Sequence, residues 1–138
     1  MKMTYKKRTA SLLGALLLAM TMNSAAPQDK GDDVMTREGN MTVVNTTTLG
    51  KGVSGYNGPT PVKIYIKKNK VVRVEALRNE EGPKYMTKVR QLLLGQWDGM
   101  KVSQASKTDI DAVTGATFTS KAIKQNVKLG LDYYLKHK

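Results

Sequence analysis

The chain has 138 residues, 40% apolar and 25% charged, with no cysteine, one histidine (His137) and a formal net charge of +12. That length fits one domain, and the apolar fraction excludes wholesale disorder or collagen-like structure. The absence of cysteine thiols excludes disulfide scaffolds and thiolate metal sites, and a single histidine argues against His-centred triads and poly-His metal centres.

The first element is a targeting signal. Lys2, Lys6, Lys7 and Arg8 precede an apolar run from Ala10 to Met22 and the small residues Ser24-Ala25-Ala26, the pattern of a secretory signal peptide. The run has 13 residues, whereas a spanning helix needs about 20. Cleavage is placed after Ala25, so residues 1–25 are the signal peptide. Removing them leaves 19 cations against 11 acids, a net charge of +8. Without a cysteine after the run, a lipid anchor is not expected. The mature protein is therefore expected to be exported, periplasmic or extracellular, with no stable membrane span. Residues 26–40 are polar and lack periodicity, which reads as a flexible leader ahead of a domain at 41–138.

Met41 to Leu49 is β-branched and bounded by Asn40 and Gly50, which predicts a strand. Two sequons, at Asn40 and Asn45, matter only in a host that glycosylates exported proteins. The glycine-rich stretch Gly50 to Pro61 follows. Its Gly50-Lys51-Gly52-Val53-Ser54-Gly55 fits G-x-G-x-x-G, but a dinucleotide site needs a helix next. Tyr56-Asn57-Gly58-Pro59-Thr60-Pro61 cannot form one, so a Rossmann site is rejected and a connecting loop is expected.

Val62, Ile64 and Ile66 alternate with Lys63, Tyr65 and Lys67. Beyond Lys68-Asn69-Lys70, Val72, Val74 and Ala76 alternate with Val71, Arg73, Glu75 and Leu77. This predicts a β-hairpin with one apolar face. Its other face carries Lys63, Tyr65, Lys67 and Arg73, with Lys68 and Lys70 at the tip. Cations interleaved with an aromatic could meet a nucleic acid backbone or another polyanion. A solvated outer face, protected by lysine against edge pairing, is the favoured reading, and no nucleic-acid partner is expected.

After Glu80-Glu81-Gly82-Pro83 the spacing becomes helical, with Met86, Val89, Leu93 and Trp97 on one face. Asp98-Gly99 ends that element. Val102 to Ile110 reads as a short extended stretch with loops. Ser120 to Lys136 is an amphipathic helix, with Ile123, Val127, Leu131, Tyr134 and Leu135 inward and Lys121, Lys124, Lys128 and Lys136 outward. The order predicts an α+β fold: a small antiparallel sheet with a central hairpin, covered by two helices.

Between these last two elements lies Asp111-Ala112-Val113-Thr114-Gly115-Ala116-Thr117-Phe118-Thr119-Ser120. It is a turn of small residues running into a helix start, with hydroxyls at Thr114, Thr117, Thr119 and Ser120 and a cation at Lys121. The first amides of a helix lack internal acceptors and carry partial positive charge, which suits a phosphate. The competing reading is a plain turn capped by Ser120 or Thr119.

Asp111-x-x-Thr114-Gly115-Ala116-Thr117 resembles the D-x-x-[ST]-G-A-T flavinylation motif of the FMN-binding domain family. That family includes components of the sodium-pumping NADH:quinone oxidoreductase and of the Rnf complex. The likeness extends over most of the mature chain, through Gly55-Tyr56-Asn57-Gly58-Pro59-Thr60-Pro61-Val62 and into Thr119-Ser120-Lys121-Ala122. It implies FMN joined through its phosphate to the hydroxyl of Thr117, taken from FAD with magnesium by a flavin transferase of the ApbE type. Asp111, Thr114, Gly115 and Ala116 would form the recognition sequence, with Asp111 also a candidate for placing the metal. Phe118, Thr119 and Ser120 complete the segment around the cofactor.

The isoalloxazine ring requires an apolar and aromatic pocket. Tyr56, with Gly58 and Pro59 in the same loop, is the candidate for one wall. Met86 and Leu93 are secondary candidates, equally suited to the core, and Trp97 is assigned to the core. The family members in those two complexes are larger and carry a membrane helix. The expectation is therefore a free-standing electron carrier serving membrane or periplasmic redox partners, without catalytic residues or a metal site of its own. The alternatives are a domain that binds FMN without a covalent bond, and an exported basic module for polyanions with no cofactor.

Overall fold

The computed structural model describes residues 33–138. The signal peptide 1–25 and the start of the leader lie outside the described residues. Four strands form one antiparallel sheet in the order β1-β2-β3-β4, with β1 at Met35–Glu38, β2 at Met41–Asn45, β3 at Val62–Lys67 and β4 at Lys70–Ala76. The helices are α1 (Pro83–Leu92), the single turn α2 (Val102–Ala105) and α3 (Thr117–His137), with a 3₁₀ turn at Leu94–Trp97. The α+β reading with a central hairpin holds. No helix among the described residues is long and apolar enough to cross a membrane.

Four expectations about the bounds or type of an element are corrected. Met35–Glu38, read as part of the flexible leader, is an edge strand paired with β2 through a turn whose Gly39 has φ +61°. Only its first residue is half-buried and the other three are exposed, so there was no alternation to detect. The strand starting at Met41 stops at Asn45 rather than Leu49, because the Asn45 Oδ1 accepts both the amide and the hydroxyl hydrogen of Thr47 and turns the chain. Val102–Ala105 is a helical turn, not an extended stretch. Its first residue is fixed by Val102 N–H donating to the Asn69 carbonyl at the hairpin tip. The last helix starts at Thr117, three residues earlier than the periodicity suggested.

The hairpin itself shows why its second strand departs from simple alternation. Lys68 and Asn69 both have positive φ, as a two-residue hairpin turn of right-handed twist requires. Tyr65 pairs with Arg73 while Ile66 pairs with Val71, which leaves Val72 as an extra residue. The bulge turns Val71 and Val74 into the core and leaves Val72 exposed, reversing the expected side for Val71 and Val72.

The core lies between one face of the sheet and the helices. Val44, Val62, Ile64, Ile66, Val71 and Val74 meet Met86, Val89, Leu93 and Trp97 from the α1 region and Ile123, Val127, Leu131 and Tyr134 from α3. Gly130 lets α3 lie close to the sheet, since a Cβ there would stand 2.6 Å from Ile64 Cδ1. Asn126 is fully buried and joins three segments: Thr46 Oγ1 donates to its Oδ1 at 3.0 Å, and its Nδ2 donates to Thr60 Oγ1 and the Ala122 carbonyl. Thr46 Oγ1 in turn accepts the Val62 amide at 2.9 Å. This network fixes both ends of the glycine-rich loop onto α3, which positions the site.

Candidate functional site

The loop 111–116 reaches α3 through two local devices. Gly115 has φ +85°, a conformation that favours glycine, and it reverses the chain. Ser120, expected as a possible cap, instead accepts the Val113 amide on its buried Oγ at 3.0 Å, tying the loop back onto the helix. Neither Ser120 nor Thr119 caps α3. The residue before the helix is Ala116, with no side-chain cap, and the first intrahelical bond runs from the Ser120 amide to the Ala116 carbonyl. The amides of Thr117, Phe118 and Thr119 therefore precede the helical ladder and offer their hydrogens to an incoming acceptor. The Thr117 side chain is exposed at the first position of α3.

Beside it lies a cavity of about 330 Å³ lined by Tyr56, Tyr85, Gly115, Ala116, Thr117, Phe118 and Thr119. Its aromatic walls come from three parts of the chain. Tyr56 and Phe118 are 66% and 65% exposed, unusual for residues of that size unless something covers them. Their ring centroids are 6.1 Å apart with planes 30° from parallel, and Tyr85 stands 6.3 Å from Tyr56.

Glu81 assembles these walls. Its carboxylate is buried, accepts the amides of Tyr56 (2.8 Å) and Asn57, and accepts the Thr119 hydroxyl. One side chain thus joins the Tyr56 loop to the first turn of α3. The loop is closed further by the Gly55 amide donating to the Gly58 carbonyl at 2.7 Å and by the Ser54–Pro59 bridge. Gly58 and Pro59 therefore shape the loop that presents Tyr56 but do not line the cavity.

Lys88, half-buried on α1, brings its ammonium to the same turn: a Cβ on Gly115 would lie 3.0 Å from Lys88 Nζ. The site thus combines free helix amides, a cation, an exposed hydroxyl and an aromatic-walled hollow. These are the groups an aromatic phosphate ester requires, with the phosphate at the helix N-terminus and the ring against Tyr56, Tyr85 and Phe118.

Of the residues expected at the site, Tyr56, Gly115, Ala116, Thr117, Phe118 and Thr119 converge on the cavity. Asp111 and Thr114 are exposed on the preceding loop, outside the lining. Among the described residues no three His, Cys, Asp or Glu side chains converge as a metal site. Met86 and Leu93 are corrected as wall candidates: both are buried in the core, and Trp97 is core as expected. Sequence reasoning missed Glu81, Tyr85 and Lys88. Tyr85 and Lys88 stand three apart on α1 and so share a face, a signal that was present but pointed nowhere until α1 was docked beside α3.

The basic hairpin face has no exposed aromatic to offer. Tyr65 is only 5% exposed, lying under Arg73, whose guanidinium carbon is 3.8 Å from the ring centroid. Arg73 is in turn held by Glu75 at 2.9 Å, which raises the guanidinium pKa further above its ordinary value.

Compared with known proteins, a family model described as FMN-binding domain matches residues 55–132. The matched stretch runs from the glycine of the Tyr56 loop to the last third of α3 and includes every residue of the cavity. No curated protein matches the chain.

Proposed function

Because the chain belongs to the FMN-binding domain family, and is thus a flavin-binding protein, we propose that it is an exported electron carrier holding FMN covalently on Thr117. The observation that carries this reading is the exposed Thr117 hydroxyl at the unladdered start of α3, beside the aromatic cavity. In the attachment reaction the Thr117 oxygen attacks the FMN phosphorus of FAD, the pyrophosphate P–O bond breaks and AMP departs. The hydroxyl proton leaves to solvent or to a group of the transferase. A flavin transferase of the ApbE type with magnesium supplies that chemistry; this chain supplies the acceptor and a recognisable loop around it, Asp111 to Ala116.

Once attached, FMN supplies one- and two-electron redox chemistry. The residues of this chain do the rest. The amides of Thr117–Thr119 and the Lys88 ammonium neutralise the phosphodiester. Tyr56, Tyr85 and Phe118 hold the ring, and Glu81 keeps the Tyr56 loop in place. The cavity is open, which suits electron exchange with membrane or periplasmic partners. A covalent tether prevents cofactor loss outside the cytoplasm, where the prefix 1–25 would direct the protein.

The test is the intact mass under denaturing conditions after co-expression with a flavin transferase and export. A gain of one FMN less one water, absent from Thr117→Ala, supports the proposal. An unmodified mass with stoichiometric flavin released on denaturation would replace it with non-covalent FMN binding. An unmodified and colourless protein would return the polyanion-binding module to consideration.

A further inference from the structure

At the far end of α3 from Thr117, a second concavity of about 350 Å³ is walled by Lys68, Lys70, Lys101 and Lys138, with Asn69, Val102, Ser103 and Leu135 between them. None of its lining side chains is acidic. The four lysines come from three separate parts of the chain: the hairpin tip, the start of α2 and the end of α3. They are held together by the fold rather than by chance exposure. Lys70 and Lys101 face each other across an antiparallel bridge, Val102 N–H donates to the Asn69 carbonyl at 2.8 Å, and the Tyr134 hydroxyl donates to Asn69 Oδ1 at 2.7 Å. Lys67 and Lys136 are exposed close by in sequence. Two lysines elsewhere do have acidic partners, Lys124 with Asp109 and Lys128 with Asp132. Gathering like charges around one hollow is unfavourable in the free protein and is relieved when an anion is met.

We propose that this lysine-walled end is a docking surface for an anionic phospholipid membrane. The chemistry favours lipid headgroups over an acidic protein face. Protein interfaces are anchored by aromatic residues and arginine and are depleted in lysine, and the exposed lining here is lysine, asparagine and serine. A concave wall of flexible ammonium groups suits headgroup phosphates, and juxtamembrane lysines add their attractions nearly independently. The rim has no large exposed apolar side chain, so attachment is electrostatic, reversible and sensitive to salt.

The position has a functional consequence. Helix α3 has 21 residues, about 30 Å at 1.5 Å per residue. A protein held by this end keeps the Thr117 cavity roughly that distance from the contact, free to meet partners in solution. The inference requires no bound cofactor.

The test is sedimentation with phospholipid vesicles, using the protein as exported. Wild type is compared with K68Q/K70Q/K101Q/K138Q and with the equal-charge control K63Q/K84Q/K107Q/K128Q. All three share one N-terminus, so any cations there contribute equally. Wild type should bind phosphatidylglycerol-containing vesicles at low salt, ignore pure phosphatidylcholine and be released by added salt. The end-patch variant should lose affinity by about tenfold or more, the control by much less. Circular dichroism and melting of both variants confirm the fold. Equal losses in the two variants would overturn the proposal by reducing it to net charge. So would failure of wild type to bind vesicles, including a case where it binds polyglutamate through the same lysines.

Discussion

Glu81 and Gly55 are built around each other: the Glu81 carboxylate fills the space that a side chain on residue 55 would need, with its Cδ 2.9 Å from the position of an added Cβ. The absent side chain lets the carboxylate reach the Tyr56 and Asn57 amides, and Glu81 then carries the loop onto the Thr119 hydroxyl. Gly55→Ala should therefore destabilise the fold by about 1–3 kcal/mol, the range for overpacking a close-packed site. Glu81→Ala, which strands two amides and a hydroxyl, should cost about 2–4 kcal/mol. Urea denaturation measures both. Unchanged midpoints in the pair would show that the Tyr56 loop is held by other contacts.

Thr117 is exposed and its side chain caps nothing. Thr117→Ala should leave stability within about 0.5 kcal/mol of wild type while abolishing the covalent mass increase. Thr117→Ser keeps a hydroxyl in place and should retain some labelling. Thermal melts beside intact-mass spectra separate this outcome from a folding defect.

Lys88 supplies a cation at the Gly115 turn without a salt-bridge partner among the described residues. Lys88→Met keeps the aliphatic stem and removes the charge. It should weaken binding of free FMN to the apo protein about tenfold, from loss of one charge-assisted contact to phosphate. The difference should shrink as salt rises, and riboflavin, which lacks the phosphate, should show none of it. Fluorescence titration with both ligands reads the effect directly.

Asn126 is buried among Thr46, Thr60 and the Ala122 carbonyl, and its Oδ1 lies where a Gly50 side chain would be. Asn126→Leu should cost about 2–4 kcal/mol, because two threonine hydroxyls lose their partner and a branched side chain meets the Gly50 backbone. Hydrogen exchange should show faster opening of the loop 50–61 ahead of the strands. A loss of stability without faster loop exchange would place the network's role elsewhere in the core.

Much of the fold was legible because its signals are local. The helical spacing of Met86, Val89, Leu93 and Trp97 identified residues that are all buried, even though the helix gives way to a 3₁₀ turn partway along. The hairpin was visible from its alternation around Lys68-Asn69. Its bulge was not, since nothing in Val71-Val72-Arg73 marks which valine is the extra residue. At the site, the Asp111–Ser120 segment and Tyr56 stood out by turn chemistry and aromatic character. Glu81 stood only in the stretch Glu80-Glu81-Gly82-Pro83, where the spacing turns helical, with nothing to mark its role.

The sequence by itself determined the hairpin, the two amphipathic helices and a candidate acceptor: a glycine turn into a helix start, with a hydroxyl at Thr117, is encoded within a few consecutive residues. Only the tertiary structure decided what surrounds that hydroxyl. Glu81 meets Thr119 across 38 residues, and Asn126 meets Thr46 across 80. Such contacts exist only after the sheet, α1 and α3 have packed. Their partners are chosen by close approach at Gly55, Gly50 and Gly130, which no periodicity records. The same holds for the lysines at the opposite end, scattered along the chain and gathered into one surface by the bridge between Lys70 and Lys101.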